Sequence, residues 1–311
     1  MHIYRWDLDK TYLETDIHSL RGLVRSATEP ARAKRAVPGA PALIRALNSQ
    51  DNARIFILSG SPEQLRPVLE EKLRLDGVRV DGLTLKDNLK NIRKGRFRDL
   101  LGQFGYKLPA LLLARESLGA GVKETLFGDD SEVDALVYSV YADAVSRRIT
   151  PAQVSRIMEA AGSYPDSIEG ALGALSRVST ADAVESIFIR VERGSPPKRF
   201  QPLSQRVIPV YSWWQAALVL FDRKRLSEAM LLDVMHGVMT GASRSTWAMA
   251  ALSQDIVRRG FVSPGVFSDF NRDSSVIEAC RKALVCLPTP KVNEVGPLSI
   301  DYLELVRHWS S

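Results

Sequence analysis

Apolar residues form short runs in the first half of the chain, and polar side chains follow each run directly. The runs occupy residues 2–6, 54–58 and 124–127. Runs of four or five mostly apolar residues are typical of parallel strands that are buried on both faces. Segments with apolar residues at helical spacing separate the runs. The pattern therefore predicts an α/β fold with a mostly parallel sheet and right-handed crossovers.

Helices are predicted between these strands. One covers residues 41–47, and an apolar helix covers Leu108–Leu118 with Lys107 at its start. Another is predicted to begin at Ser61, which resembles an N-cap because Pro62 follows it and Gln64 completes a capping box. A strand that leads into a helix N-terminus at this point would present N–H groups and a positive dipole end to an anion. One or two short extended pieces are also predicted within residues 77–85, and helix after residue 134.

The second half of the chain has a different pattern. Thr150 is predicted to cap a helix that has Pro151 at its first position and ends at Gly162. Residues 187–191 resemble a lone strand, and residues 194–197 resemble a linker. Further helices are predicted at residues 166–177, 227–239, 243–259, 274–285 and 299–308. We therefore predict a first domain over residues 1–149 and a mostly helical C-terminal region over residues 150–311, whose role the sequence does not give.

The composition is that of a soluble globular protein. The 311 residues are 45% hydrophobic and 25% charged. The longest apolar run, near residues 213–221, is too short to span a bilayer, and Trp213 and Trp214 within it are predicted to pack in a core or an interface. Met1 leads directly into the first strand, which leaves no room for a signal peptide. Two Cys and four His without clustered spacing predict neither a disulfide framework nor a zinc site, so we expect a cytoplasmic protein without a transmembrane segment.

The net charge of +6 is mild and is not concentrated in a basic tail. Charge alone therefore indicates neither a nucleic acid nor a membrane surface as partner, although it suits an anionic substrate. Lys86, Lys90, Arg93 and Lys94 form a basic stripe at near-helical spacing. We interpret this stripe as a solvated helix face, with a surface that grips an anionic substrate as the alternative. The sequence leaves the oligomeric state open.

Two carboxylates, Asp7 and Asp9, follow the first strand. Side chains at i and i+2 point to the same side if the strand continues. Open α/β sheets place their ligands at the carboxyl ends of their strands. Two negative groups held together there indicate either a metal ion or a division of labour between a nucleophile and an acid.

Polar residues that suit phosphoryl transfer follow the other strands as well. The second strand leads into Ser59 and Gly60, the last into an acidic cluster at residues 128–134, and Lys107 lies between them. Mg²⁺ is bound mainly by carboxylates, phosphate oxygens and water. A hydroxyl, backbone amides and an ammonium group can bind the phosphoryl oxygens. A carboxylate nucleophile would give an aspartyl-phosphate.

These residues resemble the four ordered motifs of the haloacid dehalogenase (HAD) superfamily. The motifs are Asp7-Leu8-Asp9-Lys10-Thr11, Ser59, Lys107 and Gly128-Asp129-Asp130 with Asp134. The resemblance covers about residues 1–145 and implies a doubly wound, Rossmann-like parallel sheet. No long insertion separates the motifs, so we expect no large cap and an open site.

Within that superfamily the chain is most similar to the phosphatidate phosphatases of the actin-patch-associated type. That group has a further Thr four residues after its first motif, as Thr15 is here. It has Ser-Asn-Ser-Pro where this chain has Ser59-Gly60-Ser61-Pro62, and Gly-Asp-Ser-Gly-x-x-Asp where this chain has residues 128–134. Lys10 stands where the group prefers an acidic residue, and Gly60 stands where it has Asn. These two departures leave the chemistry intact but weaken the case for a lipid substrate.

The resemblance implies a role for each motif residue. Asp7 is the nucleophile, and Asp9 is the general acid that protonates the leaving oxygen and then activates water. Residues expected to bind the phosphoryl group are Thr11, Ser59, Gly60 and Lys107. Residues expected to bind Mg²⁺ are Asp7, Asp9 through its carbonyl, and Asp129, with either Asp130 or Asp134 supporting the water shell of the metal. Ser61 is assigned to helix capping rather than chemistry.

The sequence thus predicts a Mg²⁺-dependent phosphatase that hydrolyses a phosphomonoester through an aspartyl-phosphate. An open site favours a bulky phosphorylated substrate, such as a lipid, a nucleic-acid end, a protein or a large metabolite. Two alternatives stay open: a catalytically silent protein that binds a phospholigand or acts as a scaffold, and a nucleic-acid 3′-phosphatase.

Overall fold

Six parallel strands form one sheet in the computed structural model, which describes residues 1–15, 29–86, 103–131, 133–285 and 300–309. The strands are β1 (His2–Trp6), β2 (Ala53–Pro62), β3 (Gly82–Lys86), β4 (Lys123–Asp129), β5 (Val184–Arg190) and β6 (Val207–Val210). Their order across the sheet is β3-β2-β1-β4-β5-β6. The prediction of a doubly wound parallel sheet is confirmed.

The direction of winding reverses beside β1. The chain moves from β1 outward through β2 and β3, and then returns to the other side of β1 with β4, β5 and β6. Trp6, the last residue of β1, is in register with Ile57 of β2 and Phe127 of β4. The amide of Asp7 continues this pairing and donates to the Phe127 carbonyl at 2.8 Å. Asp7 therefore lies at the topological switch point, where such sheets open a crevice.

The strands predicted at residues 2–6, 54–58, 124–127 and 187–191 are present, but the prediction that the last of them stands alone is wrong. That segment is β5, which pairs with β4 on one side and β6 on the other. The side chains of Ile187, Phe188 and Ile189 are fully buried because helices cover both faces of the sheet. The sheet thus continues across the predicted boundary between residues 149 and 150, and the division into two domains stays a prediction.

Helices cover both faces of the sheet. Those of the described residues are α1 (Ala40–Asn48), α2 (Arg66–Leu75), α3 (Phe104–Arg115), α4 (Asp134–Val145), α5 (Pro151–Ala160), α6 (Pro165–Arg177), α7 (Trp213–Asp222), α8 (Glu228–Ala242), α9 (Thr246–Arg258), α10 (Ser275–Val285) and α11 (Tyr302–His308). One hydrophobic core joins the sheet to α1, α2 and α7–α10. The other joins it to α3–α6 and α11. The helical C-terminal region therefore supplies part of both layers.

The core beside β1 is aromatic. Trp6 stacks on Phe127 with ring centroids 4.0 Å apart, and Trp213 packs edge-on against Trp6 at 5.2 Å. Trp213 and Trp214 are both fully buried, which confirms their assignment to a core. Such pairs stabilise the fold beyond their buried area. The end of β1, and with it the position of Asp7, is fixed by this packing.

Helix boundaries differ from the prediction where strand pairing competes with local signals. The predicted helix start at Ser61 is wrong, because β2 extends to Pro62, a 3₁₀ turn covers Glu63–Leu65, and α2 begins only at Arg66. Pro62 pairs with Lys86 of β3, which keeps the chain extended there. The helix predicted at residues 108–118 is α3, which begins three residues before Lys107 and ends at Arg115.

The other predicted helices are present with small shifts. Thr150 caps α5 in a capping box with Gln153, as the sequence indicates. Among the described residues, no helix combines the length and apolar composition of a membrane span. The basic-stripe residues Lys90, Arg93 and Lys94 lie outside the described residues, as does Cys286.

Acid sensitivity is expected from His2 at the start of β1. Its Nε2 lies 2.9 Å from the Thr125 hydroxyl, and burial lowers the pKa of His2 from 6.5 to about 4, opposed by the Glu185 carboxylate. Because the folded state resists protonation, His2 contributes stability above pH 6.5 that is lost as the pH falls toward 4. We expect the difference in unfolding free energy between pH 7 and pH 4.5 to be smaller in His2→Gln by roughly 2 kcal/mol. Urea denaturation at both pH values measures this, and equal losses in the two proteins would contradict it.

Candidate active site

Polar side chains from three neighbouring strands meet at the carboxyl edge of the sheet. Asp7 follows β1, Ser59 and Ser61 lie near the end of β2, and Asp129 ends β4. All four residues are buried, and Asp7 has only 1% of its surface exposed. Parallel strands bring their carboxyl ends to one edge, so residues that are about 50 and 120 positions apart become neighbours. The edge predicted from the sequence is thus the edge at which these residues meet.

Lys107 enters this group from the first turn of α3. Its Nζ donates to Asp7 Oδ1 at 2.8 Å and to Asp134 Oδ1 at 2.5 Å. All three side chains are buried, so solvent screens these charge-assisted bonds little. The ammonium group therefore joins the residue after β1 to the first residue of α4.

Three carboxylates form a cluster around this lysine. Asp7, Asp129 and Asp134 each present an oxygen, and the three oxygens lie within 4.8 Å of one another. One ammonium group offsets only one of the three negative charges. Clustered buried carboxylates repel one another and are costly to desolvate, unless a cation joins them. Carboxylate oxygens are the ligands that Mg²⁺ prefers, so these residues fit a divalent ion of that kind.

The negative charge of the cluster affects the pKa of a neighbouring tyrosine, Tyr138. Tyr138 lies on α4, one turn after Asp134, and it is buried. Burial raises the pKa of its hydroxyl well above the ordinary value of 10, and the carboxylates of Asp134 and Asp7 raise it further. Tyr138 is therefore held in its neutral form beside the site.

Gly128 permits the close approach of Asp134 to β4. A Cβ atom at position 128 would lie 2.5 Å from Asp134 Oδ2 and 2.7 Å from its Cβ. Any side chain there would push α4 or the Asp134 carboxylate away from the strand. The glycine of the Gly-Asp-Asp motif thus has a steric reason in this structure.

The sequence does not decide whether Asp130 or Asp134 supports the water shell of a metal, and the structure places the two side chains differently. Asp134 is one of the three clustered carboxylates, together with Asp7 and Asp129. Asp130 points to the chain after β5, where its carboxylate accepts N–H groups from Glu192 at 2.6 Å, Arg193 at 2.9 Å and Ser195 at 3.2 Å. The geometry therefore favours Asp134 over Asp130 for support of a metal. The Asp130 carboxylate binds the backbone after β5 instead.

The carboxylate of Asp9 is held by three hydroxyl groups. Thr15 donates to Oδ1 at 2.8 Å, while Ser59 and Ser61 donate to Oδ2 at 3.1 and 2.8 Å. The assignment of Ser61 to helix capping is therefore wrong. The signal that could have found it is the Ser59-Gly60-Ser61 spacing, since residues i and i+2 of an extended strand point to the same side.

Thr11 and Gly60, both predicted to bind phosphate, line the same edge. The buried Thr11 hydroxyl donates to Asp129 Oδ2 at 3.3 Å. A Cβ atom at Gly60 would lie 2.7 Å from the side-chain amide of Gln103. Gln103 thus occupies space that an asparagine, the residue of the similar phosphatase group, would need at position 60. Gln103 was not predicted from the sequence.

Most of the polar groups at this edge are buried, and Asp9 is the exception. Ser59, Lys107 and Asp129 have no exposed surface, whereas Asp9 is partly exposed. The groups around Asp7 are therefore covered by the protein itself, and access for a bulky substrate stays a prediction. Among the acids of the site, Asp9 is the one on the solvent side.

Comparison with known protein families finds a match in the first half of the chain. Residues 6–157 match the model of the family described as phosphatidate phosphatase APP1, catalytic domain. The matched segment is just under half of the chain. It begins at the last residue of β1 and contains β2, β3, β4 and every motif residue named above. No curated protein and no solved structure matches the chain.

Proposed function

Because residues 6–157 belong to the family of the phosphatidate phosphatase APP1 catalytic domain, we propose that this protein is a Mg²⁺-dependent phosphatase of HAD type acting on a phosphomonoester. The observation that carries the proposal is the buried contact of Lys107 with Asp7 and Asp134, next to Asp129. A nucleophile, a cation and two further acids are thereby gathered at the switch point of the sheet. Such a group suits phosphoryl transfer, which depends on positioning and on stabilisation of charge.

In the first step, a carboxylate oxygen of Asp7 attacks the phosphorus atom. The new bond to Asp7 forms as the bond from phosphorus to the leaving oxygen breaks. Asp9 gives its proton to that oxygen, so the product leaves as a neutral alcohol. The hydroxyls of Ser59 and Ser61 orient the Asp9 carboxyl group for this transfer.

In the second step, water hydrolyses the aspartyl-phosphate. Asp9, now ionised, removes a proton from the water while the water oxygen bonds to phosphorus. The bond between phosphorus and Asp7 breaks, inorganic phosphate leaves, and both acids return to their initial states. Two steps thus replace one difficult displacement.

Asp7, Asp129 and Asp134 are the side chains that would hold Mg²⁺. When bound, the ion would screen the charge of the Asp7 carboxylate from that of the phosphate. Lys107 contributes a second positive charge at the same place, and it also fixes the direction of Asp7 and Asp134. The protein thereby balances charge that would otherwise oppose the approach of an anion.

Phosphatidate is the substrate we propose, since the family description names it. Its phosphate is a monoester of a simple alcohol, so the leaving oxygen is strongly basic and needs a proton. Asp9, as the acid on the solvent side, is placed to give that proton. Departures from the family pattern at Lys10 and Gly60 lie beside the site and make the substrate the first quantity to measure.

Phosphate release from a panel of monoesters tests this proposal. The panel contains phosphatidate in mixed micelles, an oligonucleotide with a 3′-phosphate, and an aryl phosphate, each with Mg²⁺ and with EDTA. We expect Mg²⁺-dependent release from phosphatidate. Release from the oligonucleotide alone would replace the lipid by a nucleic-acid end, and no release from any monoester would overturn the enzymatic proposal.

Ser61→Ala is expected to lower kcat/KM for phosphatidate by about tenfold. The variant loses a 2.8 Å hydrogen bond to Asp9, and a bond to a charged group contributes about 1.5 kcal/mol or more. Ser176→Ala is the matched control, because the exposed Ser176 hydroxyl donates to the Gly173 carbonyl of its own helix. Steady-state kinetics of both variants measure the effect. Equal rates in wild type and Ser61→Ala would remove Ser61 from the site.

A further inference from the structure

The loop after β1 is held by two side chains that lie outside the family match. Arg190, the last residue of β5, donates from Nη1 to the Lys10 carbonyl at 2.6 Å. Trp213, the first residue of α7, donates from its indole N–H to the Thr11 carbonyl at 3.0 Å. These are consecutive carbonyls, and they directly follow Asp9. The segment beyond residue 157 therefore reaches into the loop that carries the general acid.

Lys10 has a backbone conformation that needs such support. Its φ is 61°, in the left-handed region, which costs a non-glycine residue about 1 kcal/mol or more. Its N–H donates to the Leu13 carbonyl at 2.8 Å and closes a tight turn. Arg190 binds the carbonyl group of the same residue. Rotation of Lys10 out of this conformation would also rotate the peptide that joins it to Asp9.

Arg190 is itself held by the chain after β5. Its Nη1 lies 2.6 Å from Glu192 Oε2, and the Glu192 amide donates to Asp130. Most of the Arg190 side chain is buried, with 17% exposed. A connection thus runs from Asp130, the neighbour of the clustered carboxylate Asp129, through Glu192 and Arg190 to Lys10. Asp130 stands where the similar phosphatase group has Ser, and a serine cannot accept all three N–H groups that this carboxylate accepts.

We propose that Arg190 is a positioning residue for Asp9, and that Asp130 holds Arg190 in place through Glu192. The inference rests on the proposed phosphatase function. An acid must lie within hydrogen-bonding reach of the leaving oxygen, and a displacement of about 1 Å can cost roughly a hundredfold in rate. The β5 end of the sheet therefore completes a site whose reacting groups all lie within the family match.

A comparison of two leaving groups separates positioning of Asp9 from a general effect on folding. An alkoxide needs a proton to leave, whereas p-nitrophenolate leaves without one. For Arg190→Met in the full chain, we expect kcat/KM for short-chain phosphatidate to fall roughly tenfold to a hundredfold. For p-nitrophenyl phosphate we expect a fall of less than about threefold, since Asp9 contributes little to that first step. Another alkyl phosphomonoester replaces phosphatidate if the wild type prefers it.

Two further variants and a control complete the test. Arg190→Lys keeps one donor for the Lys10 carbonyl and is expected to recover most of the activity toward the alkyl substrate. Asp130→Ser is expected to show a smaller defect with the same dependence on the leaving group. Arg193→Met is the control, because the same substitution removes an exposed guanidinium group while the backbone N–H of residue 193 still bonds Asp130.

The outcomes distinguish this inference from the proposed function. A wild type that hydrolyses no monoester overturns the phosphatase itself. An active wild type whose Arg190→Met variant loses activity equally toward both substrates, or toward neither, overturns the positioning role. If Arg190→Met does not fold, Arg190→Lys and Asp130→Ser decide: a selective loss toward the alkyl substrate supports the role, and an equal or absent loss overturns it.

Discussion

Asp7→Asn is expected to lower phosphate release by at least about 10⁴-fold, as removal of an essential nucleophile does. The amide is nearly the same size as the carboxylate, but it is a poor nucleophile and carries no charge. It therefore cannot form the acyl-phosphate bond, and it also weakens the contacts to Lys107 and to a metal ion. Initial rates with Mg²⁺ and saturating substrate measure the loss.

Two controls make this result specific. Thermal unfolding of Asp7→Asn shows whether the variant is folded, and Asp51→Asn makes the same chemical change at an exposed turn residue between α1 and β2. Asp51→Asn should keep the wild-type rate. Wild type incubated with labelled substrate should retain a phosphoryl group that hydroxylamine removes, and Asp7→Asn should retain none. A rate within tenfold of wild type in Asp7→Asn would reject Asp7 as nucleophile.

Lys107→Met is expected to lower activity by about 10²- to 10³-fold and to make stability depend on Mg²⁺. The variant loses the ammonium group between Asp7 and Asp134 and leaves three buried carboxylates close together. Loss of one partner of a buried ion pair costs about 3–5 kcal/mol of stability. A divalent ion bound by the same carboxylates would restore positive charge, so Mg²⁺ should stabilise the variant more than the wild type.

Lys72→Met is the matched control for this effect. Lys72 is also a largely buried lysine in an ion pair, at 2.6 Å from Asp76, but it lies on α2 away from the acidic cluster. We expect it to lose stability without any added response to Mg²⁺. Urea denaturation of the three proteins in EDTA and in Mg²⁺ measures the difference. A Lys107→Met variant that is as stable as wild type in EDTA would show that the ammonium group does not balance the cluster.

Local signals were sufficient for the strands that carry the site. The runs that became β1, β2 and β4 are short, apolar and followed by polar residues, so each could be predicted from its own sequence. Parallel pairing then places Asp7, Ser59 and Asp129 at one edge without further information. For this reason the sequence alone indicates most of the residues at this edge.

Local signals failed where a distant partner competes with them. The Ser61-Pro62 pair carries the features of a helix start, but pairing of β2 with β3 keeps it extended and turns the Ser61 hydroxyl toward Asp9. Residues 187–191 have no neighbour in the sequence that reveals β4 as their partner. A propensity of a few tenths of a kcal/mol per residue does not outweigh a row of strand hydrogen bonds and the burial that accompanies it.

The buried ion pairs could not be predicted from the sequence either. Glu124 accepts bonds from Arg5 at 2.7 Å and from Arg115 at 2.9 Å, and the Tyr141 hydroxyl donates to it at 2.6 Å. Arg5 lies in β1 and Arg115 at the end of α3, so only folding brings their charges to one carboxylate. A buried carboxylate with these partners fixes how α3, which carries Lys107, lies against the sheet.

The sequence by itself determined the fold class and most of the residues that meet at the carboxyl edge of the sheet, because both depend on short apolar runs and on residues a few positions apart. Tertiary structure alone decided which of Asp130 and Asp134 joins Asp7, and which residues hold the loop of Asp9. The bonds from Arg190 to Lys10 and from Trp213 to Thr11 span 180 and 202 positions of the chain. Contacts of that length follow from the order of strands in the sheet, which no local pattern of residues contains.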